Sequence, residues 1–136
     1  IASSLVGSEM CIRDRLKAYN KGTVLAGVSA GAICWFDQGV TDSWASNLNV
    51  IDCLGFIPGT CCPHYDSETD RKPSVYKFIK DGKIKSTYAI EDGAAMHFID
   101  NNLFKNISFF KDSTVYNVKE KNGRIIDEPL KMNNIF

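Results

Sequence analysis

The segment Gly27-Val28-Ser29-Ala30-Gly31 constrains the fold of this chain more than any other feature of its sequence. It ends an apolar, β-branched run at residues 23–28, which predicts a strand buried on both faces of a parallel sheet. Small and then aromatic residues follow at 30–36 and predict a buried helix. A strand, a sharp turn and a helix in this order indicate an α/β fold, with Ser29 presented at the carboxyl edge of the sheet.

The rest of the sequence predicts one domain in which helices and strands are mixed. Residues 16–22 are typical of the last turns of a helix that ends at Gly22. Further elements are predicted as a polar loop at 39–49, a strand at 60–65, a helix at 68–80, and strands at 85–90, 94–99, 106–110, 114–119 and 124–130. We expect the strands after residue 106 to form an antiparallel meander.

The first fifteen residues show neither helical nor strand periodicity. Residues 3–15 resemble the translation of a sequencing adapter. We therefore expect residues 1–15 to be a non-native segment and residues 16–136 to be the C-terminal part of a single domain. Loss of the preceding strands would leave residues 23–28 as an unpaired apolar edge.

Composition excludes several classes of function. Lys and Arg together number 16, as do Asp and Glu, so no net charge favours binding to nucleic acid or to an anionic membrane. The chain has neither an apolar run of about 18 residues nor a signal-peptide pattern, and we expect a cytoplasmic location. The five cysteines form no CxxC pair, and we expect them to be reduced and mostly buried.

Ser29 is a candidate nucleophile, because a tight strand-to-helix turn exposes its hydroxyl. The hydroxyl needs a base within hydrogen-bonding reach, and a neutral histidine suits that role. His64 follows a proline at a predicted strand end, whereas His97 lies within an apolar strand, so we expect His64 to be the base. The backbone N–H of Ala30 is the predicted oxyanion donor. A plain turn ahead of a tightly packed helix is the alternative interpretation of the segment.

A carboxylate is needed to orient such a histidine. Glu91 directly follows the strand at 85–90, and parallel strands end at the edge that carries the turn, so Glu91 is favoured. Asp42, in a polar loop, is the alternative, and Asp92 is a weaker candidate.

Two other clusters suggest binding sites. Cys61, Cys62, His64 and Asp66 could offer metal ligands, but adjacent cysteines chelate one ion poorly, and we expect neither a metal nor another cofactor. Arg71 could hold a substrate carboxylate, because a guanidinium matches the geometry of that group.

Four motifs, in this order, resemble those of peptidase family S51, the group of dipeptidase E and cyanophycinase: AGVSAGAICWF at 26–36, GVTDS at 39–43, CPHYD at 62–66 and YAIEDGAA at 88–95. The resemblance extends from Leu16 to the end of the chain. It implies a three-layer α/β/α sandwich with a mostly parallel sheet, similar to that of class I glutamine amidotransferases and flavodoxin-like folds. It also implies a serine peptidase with Ser29 as nucleophile and His64 as base.

The same resemblance leaves the third residue open, since the family's acid matches either Asp42 or Glu91. It implies hydrolysis of short peptides, such as dipeptides with an N-terminal aspartate, with Arg71 nearest to the residue that reads the aspartate. A cyanophycinase-like activity on β-linked aspartyl polymers and a non-catalytic α/β binding domain are the alternatives. The expected partners are a small peptide substrate and, at most, a second copy of the chain in a homodimer. In the family a preceding Gly-rich loop gives a second oxyanion donor, so without it we expect the chain itself to be inactive.

Overall fold

The structure is a computed structural model that describes residues 2–43 and 46–135. Ile1, Trp44, Ala45 and Phe136, which fall within predicted segments, lie outside the described residues. The helices are α1 (Ala2–Asn20), α2 (Ala30–Ile33) and α3 (Arg71–Lys80). The strands are β1 (Phe36–Thr41), β2 (Asn49–Asp52), β3 (Ile57–Cys62), β4 (Ser86–Ile90), β5 (Ala94–Ile99), β6 (Asn102–Ser108), β7 (Val115–Lys121), β8 (Arg124–Pro129) and β9 (Met132–Asn134).

A mixed sheet of six strands, in the order β2-β1-β3-β4-β7-β8, forms the body of the fold. Strands β1, β3 and β4 run parallel, whereas β2, β7 and β8 each pair antiparallel to their neighbours. The predicted α/β class is therefore confirmed, but the sheet is mixed where a mostly parallel one is expected. Strands β7 and β8 are antiparallel as predicted. The meander is wrong in its first strand, because β6 pairs with β5 and, in parallel, with β9 instead of with β7. Strands β5, β6 and β9 form a separate sheet of three strands.

Each face of the large sheet carries its own apolar cluster. On one face, α3 packs through Val75, Phe78 and Ile79 against strand residues that include Cys62 and Ala89. Its buried positions recur at helical spacing, and Pro73 stands in the first turn, where a proline is tolerated. On the other face, Ile33 of α2 packs with Phe36 and Cys61, joined by Tyr88, Ile90 and Phe98. The α3 face and the α2 face are therefore distinct environments for residues at the strand ends.

Helix α1 differs from the prediction for residues 1–15. It runs through this segment as far as Asn20, and Gly22, with φ +85°, then ends it as predicted. The backbone of residues 2–20 holds a single glycine and no proline, so nothing in it breaks a helix. None of residues 9–20 is buried, which agrees with the missing apolar periodicity of that part. The non-native origin of residues 1–15 stays a prediction.

The predicted buried strand at residues 23–28 is wrong. This segment is irregular, and Val24 and Val28 are 87% and 86% exposed. A strand needs a neighbour for its backbone N–H and C=O groups, and none of the described strands pairs with these residues. The apolar run therefore has nothing to pack against.

The region after Ser29 also differs from its prediction. The helix expected at 30–36 ends at Ile33, and strands β1 and β2 take up residues 39–41 and 49 at the two ends of the predicted loop. Gly39 lies under this helix, and a Cβ at that position would come within 2.8 Å of the Ile33 side chain. The glycine thus permits α2 to pack directly on β1. None of the helices among the described residues is long and apolar enough to cross a membrane.

Candidate active site

Ser29 lies on a strained turn immediately before α2. Its φ of 52° and ψ of −120° fall outside the regions that side chains normally allow. Gly27 makes the turn possible, because a Cβ there would lie 2.0 Å from the backbone oxygen of Gly31. A Cβ at Gly31 would meet no described atom within 4 Å. Only the first glycine of the motif is therefore required by contacts within the described residues.

The amide of Ala30 is the predicted oxyanion donor. Within the described part of the chain it donates no hydrogen bond, whereas the amide of Gly31 donates to the carbonyl oxygen of Val28 at 2.8 Å. An N–H without an acceptor beside the Ser29 hydroxyl can donate to an oxygen that develops negative charge.

His64 stands beside Ser29, as predicted. Its Nε2 lies 2.9 Å from the Ser29 Oγ, and its side chain is 29% exposed. The residue follows β3 and Pro63 and has a φ of 56°, which interrupts the alternation of side chains along the strand. Cys62 faces α3, but the left-handed backbone turns His64 toward the α2 side, while Tyr65 returns to the α3 core.

Asp92 is the carboxylate that contacts His64. Its Oδ1 lies 2.7 Å from the His64 Nδ1, so the two hydrogen bonds of the imidazole join Ser29, His64 and Asp92 in one chain. The pKa of Asp92 is lowered, first by a hydrogen bond from the Ser67 hydroxyl and then by the hydrogen bond to His64, while partial burial opposes the shift. Asp92 is therefore held in its charged form.

Glu91, the favoured third residue, does not reach His64. Its Oε2 accepts the backbone N–H of Thr114 at 2.8 Å, on the α3 side of the sheet. There it lines a cavity of about 570 Å³ together with Tyr65, Tyr116 and Asp127. The prediction of a contact between Glu91 and His64 is corrected to Asp92.

Strand parity explains this correction. Along β4, Thr87 and Ala89 are buried, and Ala89 belongs to the α3 cluster, whereas Tyr88 and Ile90 pack on the α2 side. Continued alternation sends Glu91 to the α3 side and Asp92 to the side of Ser29. The sequence shows this alternation, but the face that carries Ser29 is assigned by the packing of Tyr88 and Ile90.

Asp42 and Arg71, two further candidates, lie away from His64, with Arg71 buried and Asp42 exposed beside it. The Arg71 side chain is 4% exposed, donates to the Val40 carbonyl oxygen at 2.8 Å and to Glu68 at 2.7 Å, and lies 3.8 Å from Asp42. Neither the alternative acid role of Asp42 nor a substrate contact of Arg71 fits this arrangement. Arg71 instead joins the end of β1 to the start of α3.

The remaining predicted features are structural. His97 lies in β5, with its ring 5.3 Å from that of Phe104. Cys61 and Cys62 belong to opposite faces of the sheet, so they cannot share a metal ion with His64. No group of three or more His, Cys, Asp or Glu side chains suited to a metal ion occurs within residues 2–43 and 46–135.

Comparison with known proteins shows the family to which this chain belongs. The sequence model of Peptidase family S51 matches residues 7–105, a range that contains Ser29, His64 and Asp92. The chain is 46% identical over 114 residues to "Uncharacterized peptidase YgaJ" of Bacillus subtilis (strain 168). This match covers 84% of the chain and 49% of the relative, so the chain spans about half the length of that curated protein. The chain belongs to peptidase family S51.

Proposed function

We propose that the protein containing this sequence is a serine peptidase whose triad is Ser29, His64 and Asp92. The proposal is carried by one observation: the His64 imidazole joins the Ser29 hydroxyl at 2.9 Å to the Asp92 carboxylate at 2.7 Å. Separations of this size allow direct proton transfer and fix the imidazole tautomer. Membership of a peptidase family supports peptide bonds as the substrate.

The reaction follows from these contacts. The Ser29 Oγ attacks the carbonyl carbon of the peptide as its proton passes to the His64 Nε2, and the tetrahedral oxygen accepts the N–H of Ala30. His64 then gives the proton to the leaving amine as the C–N bond breaks, which leaves an acyl group on Ser29. Water, deprotonated by His64, hydrolyses this ester and restores the serine. Asp92 stays ionised throughout and stabilises the charged imidazole.

We also propose that the complete domain is a three-layer α/β/α sandwich similar to that of class I glutamine amidotransferases. Three observations support it: β1, β3 and β4 are parallel, α3 covers one face, and α2 lies on the other. A structure of the gene product in which residues 23–28 remain outside the sheet would contradict this proposal.

The substrate class that we propose is short peptides, dipeptides with an N-terminal aspartate first, and the family resemblance alone supports it. The test compares α-aspartyl dipeptides, the same dipeptides with N-terminal alanine, and β-linked aspartyl polymers as substrates of the gene product that contains this sequence. We expect hydrolysis of the α-aspartyl dipeptides, abolished in Ser29→Ala. Preferential cleavage of the polymer would overturn the specificity, and cleavage of nothing would indicate a non-catalytic domain.

A further inference from the structure

The turn that carries Asp92 is held by side chains outside the triad. The Asp66 Oδ1 accepts the backbone N–H of Asp92 at 2.8 Å, and the Ser113 hydroxyl donates to the Asp92 carbonyl oxygen at 2.9 Å. Both main-chain polar groups of this residue are therefore occupied by side chains. The backbone of an exposed turn can otherwise form its hydrogen bonds with water in many conformations. Two hydrogen bonds to protein side chains therefore restrict this turn to a defined position.

Asp66 also lies on the same short loop as His64, two residues further along the chain. This loop meets the Asp92 turn at three points: the amide of Tyr65 donates to the carbonyl oxygen of Ile90 at 3.1 Å, Asp66 accepts the amide of Asp92, and His64 contacts the Asp92 carboxylate. A shift of one segment therefore changes the distance between the imidazole and its acid.

We propose that Asp66 is a positioning residue, which fixes the Asp92 turn through a backbone hydrogen bond so that the Asp92 carboxylate reaches the His64 Nδ1. The inference rests on the proposed triad and extends it. What Asp66 supplies is an acceptor oxygen at a fixed distance. Asparagine keeps that oxygen, glutamate keeps the charge but moves the oxygen by one methylene, and alanine removes it. The expected order of activity is thus wild type and Asp66→Asn above Asp66→Glu and Asp66→Ala.

The experiment measures two quantities in the gene product that contains this sequence. The first is the rate at which a fluorophosphonate phosphonylates Ser29 with loss of fluoride, with kcat and KM on a cleaved dipeptide where one is found. The second is the downfield proton resonance of the His64 Nδ1–H, which reports its hydrogen bond to Asp92. Asp70→Ala is the matched control, since Asp70 is exposed at the start of α3 and makes no side-chain cap hydrogen bond.

We expect Asp66→Ala and Asp66→Glu to lower the phosphonylation rate and kcat by about 10- to 100-fold, a loss typical of misplaced catalytic groups, with little change in KM. Both should lose the downfield resonance, while Asp66→Asn and Asp70→Ala keep it and stay close to the wild-type rate. Because Asp66→Glu preserves charge at an exposed site, it provides the test if Asp66→Ala does not fold.

Two results would overturn the inference while leaving the proposed function intact: Ser29 phosphonylated at the wild-type rate in Asp66→Glu and Asp66→Ala, or Asp66→Asn impaired as strongly as they are. Failure of the fluorophosphonate to react with Ser29 of the wild-type protein would instead reject the proposed function. In that case the resonance still tests the positioning, since its persistence in Asp66→Ala would contradict the role of Asp66.

Discussion

Replacing the acid of the proposed triad separates Asp92 from its neighbour Glu91. Asp92→Asn preserves the size of the side chain but puts an amide where the carboxylate accepts the His64 Nδ1–H at 2.7 Å. The amide can present its N–H to the imidazole and favour the wrong tautomer. Loss of a triad carboxylate in this way lowers kcat by about 10⁴-fold, which corresponds to roughly 5.5 kcal/mol of transition-state stabilisation.

Glu91→Gln is the matched control, one residue away and of the same chemistry. Glutamine retains an oxygen that can accept the Thr114 amide, now 2.8 Å from the Glu91 Oε2. The change from a charged to a neutral acceptor costs about 1 kcal/mol of folding stability, and we expect kcat to change by no more than about threefold because Glu91 lies on the α3 side of the sheet.

The assay is steady-state hydrolysis of a cleaved dipeptide by the gene product, with circular dichroism to show that both variants fold. Titration of active sites with a fluorophosphonate, which forms a stable phosphonate ester on Ser29, separates slow turnover from loss of active protein. Near-normal turnover in Asp92→Asn together with a large loss in Glu91→Gln would refute the assignment of Asp92. It would show that Glu91 reaches the imidazole in the working enzyme.

Four further outcomes follow from the structure. Gly27→Ala should destabilise the chain by about 1–3 kcal/mol or more through overpacking and abolish the reaction of Ser29 with a fluorophosphonate. Gly31→Ala should instead be neutral or stabilising in chemical denaturation. Equal effects of the two changes would contradict the close approach of position 27 to the Gly31 oxygen. Arg71→Ala should cost about 3 kcal/mol of unfolding free energy without a selective rise in KM, because it removes a guanidinium that is only 4% exposed. Unchanged stability with a raised KM would restore the predicted substrate role of Arg71. Burial raises the pKa of the Cys62 thiol to about 12, so a thiol reagent at pH 8 should modify it only after unfolding, and rapid modification of the folded chain would be contrary. Folding lowers the pKa of Asp92, so its charged form stabilises the fold fully above the ordinary aspartate pKa of about 3.9. This stabilisation is lost as pH falls through the lowered pKa. The measurement is the difference in unfolding free energy between wild type and Asp92→Asn, and a difference that grows toward low pH would contradict this sign.

The residues that sequence reasoning could assign are those with a local backbone requirement. Ser29 sits between glycines, and His64 follows a proline at the end of a strand, so both were predicted from their immediate neighbours. The helix at 71–80 and the strand at 94–99 were predicted for the same reason, since helical and alternating periodicity are local patterns.

Features that depend on distant partners could not be predicted in this way. The run at 23–28 has the composition of a buried strand, yet it remains exposed because no described strand pairs with it. The guanidinium of Arg71 lies against the carbonyl oxygen of Val40, 31 positions away along the chain, and nothing near Arg71 in the sequence indicates this contact. The choice between Glu91 and Asp92 needs both a local pattern and a distant contact. Strand alternation is local, but it favours Asp92 only once the packing of Tyr88 and Ile90 is known.

The central claim is that Ser29 is the nucleophile of a peptidase. It is tested most directly by treating the gene product with a fluorophosphonate and mapping the adduct by mass spectrometry of its peptides. The account predicts a single adduct on Ser29, lost in Ser29→Ala and formed far more slowly in His64→Ala. An adduct on any other residue, or no adduct on the folded wild-type protein, would contradict it.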